Sequence, residues 1–278
     1  MNGKKNRRPG NVMNALVTQE ELKTFLIALG LTQPRILSMF IALPLFNVQL
    51  VPGLLRFGIA GVLGLIAAPL IHTQLGAFDQ VSPGVWAILI AKEAFVGFTI
   101  GLIMALPFWI FEAVGFLIDN QRGASISATL NPLTGNDSSP LGILFNQAFI
   151  VFFLVSGGFS LMLGGLYDSF RLWPVMDWAP QFKAASVPLF LDQLDRLMRT
   201  AILLAAPAVV AMFMAELGLA LISRFAPQLQ VFFVAMPIKS GLAVLILILY
   251  ASSLFDYGAD LVEFVGGVVP FLNTQWGR

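Results

Sequence analysis

The chain has no cysteine and a single histidine, His72. Disulfides, thiolate-held metals, a His-based metal site and a His-dependent triad are therefore all excluded. Charge is scarce as well. Asp, Glu, Lys and Arg make up 11% of the 278 residues, where a soluble domain carries about a quarter. The formal net charge of +1 leaves no basic face concentrated enough to track phosphates, which excludes nucleic acid as a partner. A secretory leader is missing too: the charges Lys4, Lys5, Arg7 and Arg8 are followed by a polar stretch through Lys23, not by an apolar core. Arg7-Arg8 does not make a twin-arginine signal, and residues 1–14 read as a disordered basic tail. What is plentiful is apolar surface, 58% of residues with a mean hydropathy of +0.84. Such a chain is solvated mostly by something other than water, and it reads as a polytopic membrane protein.

A span needs about 20 mostly apolar residues. Six segments qualify, at about 25–46, 54–71, 85–111, 141–166, 201–222 and 231–254. No Ser/Gly linker or soluble domain separates them, so 15–256 reads as one all-α membrane domain and 257–278 as a C-terminal tail. The third and fourth segments are longer than a bilayer requires and must tilt, kink or extend beyond it. Lys and Arg cluster in the N-terminal tail and in the connection 167–200, whereas the opposite side offers only Arg56, Arg122 and Arg224. The positive-inside rule then places both termini in the cytoplasm.

Polar residues interrupt the apolar runs in a few places. Gln33-Pro34-Arg35 falls in the middle of the first span, where Pro removes a backbone hydrogen bond and a charge costs about 2.5–3.5 kcal/mol. Either a snorkelling arginine separates two shorter helices, or a broken helix lets Arg35 meet a carboxylate or a carbonyl cluster of a neighbour. The third span opens with Lys92-Glu93; adjacent residues point about 100° apart on a helix and do not automatically pair. Gly97 and Gly101 follow at a small-xxx-small spacing that permits close helix approach, a pattern too common to carry weight alone. In the connection 167–200, residues 189–200 place Leu194, Leu197 and Met198 on one face of an amphipathic helix, at an interface or on a partner. Between the fifth and sixth spans lie Glu216, Arg224, Pro227, Gln228, Pro237 and Lys239. Glu216 and Arg224 stand about two turns apart, so pairing them would need long side chains, water or a third group. A tight hairpin with snorkelling ends would explain them; so would an assembly role.

The stretch 112–142 is the most irregular. It holds Asp119, Arg122, Gly123, Asn131, Pro132, Thr134, Gly135, Ser138, Pro140 and Gly142 between two long apolar runs. Irregular backbone at membrane depth is tolerated only where protein buries it or water reaches it.

Three blocks carry a resemblance to a known family. Gly115-Phe-Leu-Ile-Asp119-Asn-Gln-Arg122-Gly123, with Asn131-Pro132-Leu-Thr134-Gly135 and Ser138-Ser139-Pro140-Leu-Gly142, resembles the signature of the type III secretion T subunits. The flagellar FliR proteins are the wider relatives. Arg224-Phe-Ala-Pro227-Gln228 followed by Pro237-Ile-Lys239 is similar to the family's second block, and Pro34-Arg35 resembles its N-terminal motif. The blocks fall between about Val17 and Leu254, leaving the basic extension outside. The Asp-Asn-Gln-Arg-Gly form looks more like the injectisome branch than the flagellar one. The resemblance implies broken helices and helical hairpins assembling with R and S subunits into a funnel-shaped export gate, in which T resembles a fused R-plus-S unit. It implies contact with the U switch subunit and the V export subunit, membrane lipid around the gate, and unfolded secreted proteins in transit. It also implies an inner-membrane location, with the assembled gate raised toward the periplasm. No enzymatic activity, cofactor or metal is implied.

On this reading the gate or plug loop comprises Asp119, Arg122, Gly123, Asn131, Pro132, Thr134, Gly135, Ser138 and Gly142. Arg35, Lys92, Glu93, Glu216, Arg224, Pro227, Gln228 and Lys239 form an intramembrane polar and assembly set. A solvated connecting loop is the plain alternative for the first group. At the level of function, a secondary transporter with broken helices would show two related halves, and no repeat links 25–111 with 141–254. A membrane enzyme would need a motif such as HExxH or GxSxG, and neither occurs.

Overall fold

The computed structural model describes residues 9–47, 50–72, 82–123, 139–177, 187–225 and 231–276. Its described residues form eight α-helices and one short 3-10 turn, with no strand. In chain order these are α1 (Pro9–Ala42), the turn Pro44–Phe46, α2 (Gly53–His72), α3 (Pro83–Met104), α4 (Leu106–Arg122), α5 (Pro140–Val155), α6 (Gly158–Leu172), α7 (Val187–Phe225) and α8 (Val231–Trp276). Five helices are long and apolar enough to cross a membrane, or up to six if the bent pair α5–α6 counts as one. The all-α membrane reading therefore stands.

The two overlong segments resolve into breaks. Segment 85–111 divides at Ala105, between α3 and α4, where Pro107 brings no N–H to the helix ladder. Segment 141–166 turns by 76° between α5 and α6. The turn uses Gly157 at φ +83°, a conformation that costs a side-chain-bearing residue far more.

Several boundaries depart from expectation. α1 starts at Pro9, inside the stretch read as a tail, and runs unbroken through Pro34. The broken-helix form of the first span is thus corrected: one missing hydrogen bond does not end a helix whose flanks are held by packing. The amphipathic segment 189–200 is the beginning of α7, not a separate interfacial helix. Of its three apolar residues only Leu197 is buried; Leu194 and Met198 are exposed. α8 continues past residue 256 to Trp276, so most of the expected tail is helix. At about 1.5 Å per residue, α7 (39 residues) and α8 (46 residues) reach about 58 and 69 Å, roughly twice the hydrocarbon thickness of a bilayer.

The chain divides into two compact units. The first holds Met1–Leu102, Leu163–Phe182 and Val269–Arg278; the second holds Ile103–Met162 and Lys183–Val268. In the first, α2 lies on α1, with Gly64 against Thr32 and Gln33, and Phe40 stacks on Phe46 with centroids 3.7 Å apart. In the second, Phe108 and Phe111 of α4 meet Phe149 of α5 at 5.0 and 4.4 Å. Apolar transfer contributes little between helices already in lipid, so contacts of this kind and close backbone approach hold each unit. Both units also present bare apolar faces: Leu54 is 87% exposed, Val155 83% and Phe225 89%.

Candidate functional site

The first unit contains a buried charge cluster. Glu93, Gly97 and Gly101 lie at i, i+4 and i+8 along one face of α3. A Cβ on Gly97 would fall on the Arg35 carbonyl and Ser38 Oγ, and one on Gly101 would come within 2.7 Å of the Met39 carbonyl. Two missing side chains thus let α3 lie backbone to backbone on α1, which brings Glu93 to Arg35.

Both residues are fully shielded from solvent. Arg35 Nε donates to Glu93 Oε2 at 2.7 Å and Nη2 to Oε1 at 2.9 Å, the two-pronged geometry in which a guanidinium outperforms an ammonium. Nη1 donates to Ser169 Oγ of α6 at 3.1 Å, and Nη2 also reaches the Trp173 carbonyl at 2.9 Å. The Phe170 ring covers the guanidinium at 4.2 Å, a cation–π contact strengthened by desolvation.

Lys92 pairs with Glu93 after all, Nζ to Oε1 at 2.8 Å. Its long stem overcomes the 100° offset between neighbours. Nζ also donates to the carbonyls of Pro174 (3.1 Å), Val175 (2.7 Å) and Asp177 (3.0 Å). Two cations therefore share one carboxylate, and carbonyls following α6 satisfy the surplus donors. Each of the three charged side chains in the cluster has partners, the condition under which buried charge is tolerated.

In the second unit, Asp119 ties the end of α4 to the start of α5. Its Oδ2 accepts from Ser139 Oγ at 2.7 Å and from the Leu141 N–H at 2.9 Å. Its Oδ1 meets Arg122 Nη2 as an ion contact at 2.6 Å that lacks hydrogen-bond alignment. Ser139 is the N-cap of α5, its Oγ accepting from the Gly142 N–H at 2.9 Å, with Pro140 at the first helical position. A negative side chain at a helix N-terminus is favourable in itself. Gly123 closes α4 at φ +82°, the left-handed cap for which glycine is the default. One turn below, a Cβ on Gly115 would collide with the Leu141 backbone, and Asn146 Nδ2 donates to Glu112 Oε2 at 2.7 Å. The two helices thus meet in a clasp with two polar rungs and a glycine contact between them.

A third group links three helices of the same unit. Lys239 Nζ of α8 donates to Glu216 Oε2 of α7 at 3.2 Å, and Gln121 Nε2 of α4 approaches the same oxygen at 3.5 Å. Lys239 is nearly covered, at 11% side-chain exposure, while Glu216 is half open at 48%. Arg224 lies exposed at the end of α7 and forms no ion pair among the described residues. The partner of Glu216 is therefore a lysine 23 residues away, not Arg224.

Of the residues singled out in sequence, the structure gathers Arg35, Lys92 and Glu93 into one cluster. It gathers Asp119, Arg122, Gly123 and Gly142 into the clasp, and pairs Glu216 with Lys239. Asn131, Pro132, Thr134, Gly135, Ser138, Pro227 and Gln228 lie outside the described residues. Ser139, Glu112, Asn146, Gln121 and Ser169 take part although none was counted among the gate or assembly residues. Only Ser139 had a legible signal: Ser-Pro before an apolar run is a helix-start pattern.

The chain matches the model of the bacterial export proteins, family 1, over residues 26–265. The chain belongs to this family. The match contains all three charged groups. The export protein is 40% identical over 261 residues to the Yop proteins translocation protein T of Yersinia pestis, covering 94% of this chain and 98% of that one. It is 33% identical to the surface presentation of antigens protein SpaR of Shigella sonnei, covering 93% and 97%. To the flagellar biosynthetic protein FliR of Bacillus subtilis it is 30% identical over 223 residues, covering 80% and 85%. The injectisome-like form of the Asp119 block accords with this order.

Proposed function

We propose that this export protein is the T subunit of a type III (injectisome) secretion system, one of the proteins forming the export gate through which unfolded substrates leave the cytoplasm. The observation that carries this is its 40% identity to Yop translocation protein T over nearly the full length of both chains. In this reading the protein sits in the bacterial inner membrane with both termini in the cytoplasm, and the R, S, U and V components of the machine are its partners. It acts by shape and packing, without making or breaking bonds. Long helices with bare apolar faces suit such a subunit, because partner chains as well as lipid can cover them.

Within the gate, the stretch from Asp119 to Gly142 supplies the moving constriction. The clasp supports this: Asp119 holds Ser139 and Leu141, so the chain between Gly123 and Ser139 leaves and returns at one anchored point. Closing by side-chain packing and parting under load is the behaviour a protein-conducting pore needs.

Two experiments test the reading. Expression in an injectisome strain lacking its own T subunit restores secretion, and R and S subunits co-purify with the chain. Rescue of motility in a flagellar mutant, with no rescue of secretion, would instead assign it to the flagellar branch. For the constriction, deletion of residues 129–136 leaves the complex assembled but leaky to small ions. A photo-crosslinker at position 127 or 133 captures a stalled substrate. A tight membrane together with no crosslink at either position would refute the gate assignment.

A further inference from the structure

Lys92 carries a charge that Glu93 does not need. Arg35 already balances that carboxylate, with two aligned hydrogen bonds at 2.7 and 2.9 Å. Lys92 lies on α3, a helix of membrane-crossing length, and its side chain is only 9% exposed. A second cation in such a place is costly unless other groups solvate it. Those groups are main-chain carbonyls. Nζ stands 3.1 Å from the Pro174 oxygen, 2.7 Å from that of Val175 and 3.0 Å from that of Asp177, with Glu93 Oε1 at 2.8 Å.

Four oxygens therefore surround a nitrogen that has three hydrogens to give. Such a shell is organised around a charge and not around singly aimed hydrogen bonds. Three of the oxygens come from the short run Pro174–Asp177. Carbonyls so close in sequence point to one spot only where the chain curls around it. The curl is visible in the Asp177 N–H, which donates back to the Pro174 carbonyl at 3.2 Å. Val175, inside the curl, is fully shielded from solvent, so its carbonyl depends on Nζ. The run also follows the C-terminus of α6, the negative end of that helix. Convergent carbonyl dipoles repel one another until a cation sits among them, as where a ring of carbonyls replaces the water of a potassium ion. All of these residues belong to the first unit.

We propose that Lys92 is a positioning residue for the connection 173–177. Its ammonium serves as a built-in monovalent cation around which the chain leaving α6 is folded, and a small free cation takes the same carbonyl cage when the side chain is removed. The two cations of the cluster differ in shape accordingly. The flat fork of Arg35 fits a carboxylate, whereas the compact ammonium of Lys92 fits oxygens that converge from several directions.

The test is hydrogen–deuterium exchange of the peptide covering residues 173–177, read by mass spectrometry on the full chain in detergent with whatever subunits co-purify. Ionic strength is held constant with tetramethylammonium chloride, whose cation is too bulky for the cage. The wild-type peptide is protected, and ammonium or potassium chloride leaves it unchanged. In Lys92→Ala it exchanges about tenfold faster, the factor for one buried acceptor left unpaired. Ammonium and potassium then restore protection, and the effect saturates with concentration. Lys92→Met, whose uncharged side chain fills the space, exchanges as fast as Lys92→Ala and is not rescued. Lys92→Arg does not regain wild-type protection either. Failure of both ions to protect Lys92→Ala would overturn the proposal. Wild-type protection in Lys92→Ala or Lys92→Met would also overturn it, because packing around Val175 would then hold the turn without the charge. Should Lys92→Ala not accumulate, Lys92→Met decides by the same criterion.

Discussion

Glu93→Leu is the substitution whose consequence follows most directly from the structure. The Glu93 carboxylate accepts two hydrogen bonds from Arg35 and pairs with Lys92. Its removal leaves both cations at fully or nearly buried positions without an anion. Breaking a buried pair from one side costs about 3–5 kcal/mol. Whole domains are stable by only about 5–15 kcal/mol, so much of the margin goes. Arg35→Met alone strips Glu93 of its bidentate partner and frees Ser169 Oγ and the Trp173 carbonyl, although Lys92 remains to neutralise the charge. The double variant Arg35→Met/Glu93→Leu removes cation and anion together, and Lys92 keeps its three carbonyl acceptors. It should therefore be more stable than the sum of the single effects implies, by a coupling of about 1–3 kcal/mol, as is usual for contacting residues. The assay is a double-mutant cycle on the detergent-purified protein, read by thermal unfolding and by the amount recovered from membranes. Wild-type stability in Glu93→Leu, or strictly additive effects in the double variant, would refute the view that these charges stabilise one another.

Three further outcomes follow. Gly115→Val and Gly97→Val force apart the helix pairs α4–α5 and α1–α3, at the roughly 1–3 kcal/mol typical of overpacking. Gly61→Ala and Gly267→Ala, inside helices with open space around each Cβ, should instead raise stability by about 0.5–1 kcal/mol in the same thermal melts. Asp119→Ala and Ser139→Ala each weaken the cap of α5 by about 0.5–2 kcal/mol, and the two effects should be less than additive because the side chains bond each other. Glu216→Ala leaves the covered Lys239 without its anion and should lower both thermal stability and recovery of the assembled complex. Arg224→Ala should change the stability of the isolated chain by no more than about 0.5 kcal/mol, as for most surface substitutions; equal losses from the two would contradict the observed pairing.

The sequence alone determined the solvent this protein lives in, the helical class and the family, because hydropathy and local motifs are one-dimensional properties. It also marked the charges that matter, since a charge inside an apolar run is conspicuous wherever its partner lies. The overlong runs 85–111 and 141–166 announced that something must give, and Pro107 and Gly157 mark where it does. Partnerships were a different matter. Arg35 and Glu93 are 58 residues apart, and nothing within either segment encodes their meeting. It arises because Gly97 and Gly101 admit the backbone of α1, and a small-xxx-small spacing has meaning only once its partner helix is known. Lys92 and Glu93 seemed ill placed to pair by helical geometry, yet a flexible four-carbon stem and waiting carbonyls bring Nζ around. Glu216 had a plausible mate in Arg224 on its own helix, but Lys239 on α8 lies closer in space. Hydropathy also divided α7 and α8 at the edges of their apolar stretches, although the helices continue, because a backbone hydrogen-bond ladder does not stop where lipid gives way to water or protein. Local chemistry identifies the residues a membrane protein cannot afford to leave unpaired; only packing between distant helices decides which of them meet.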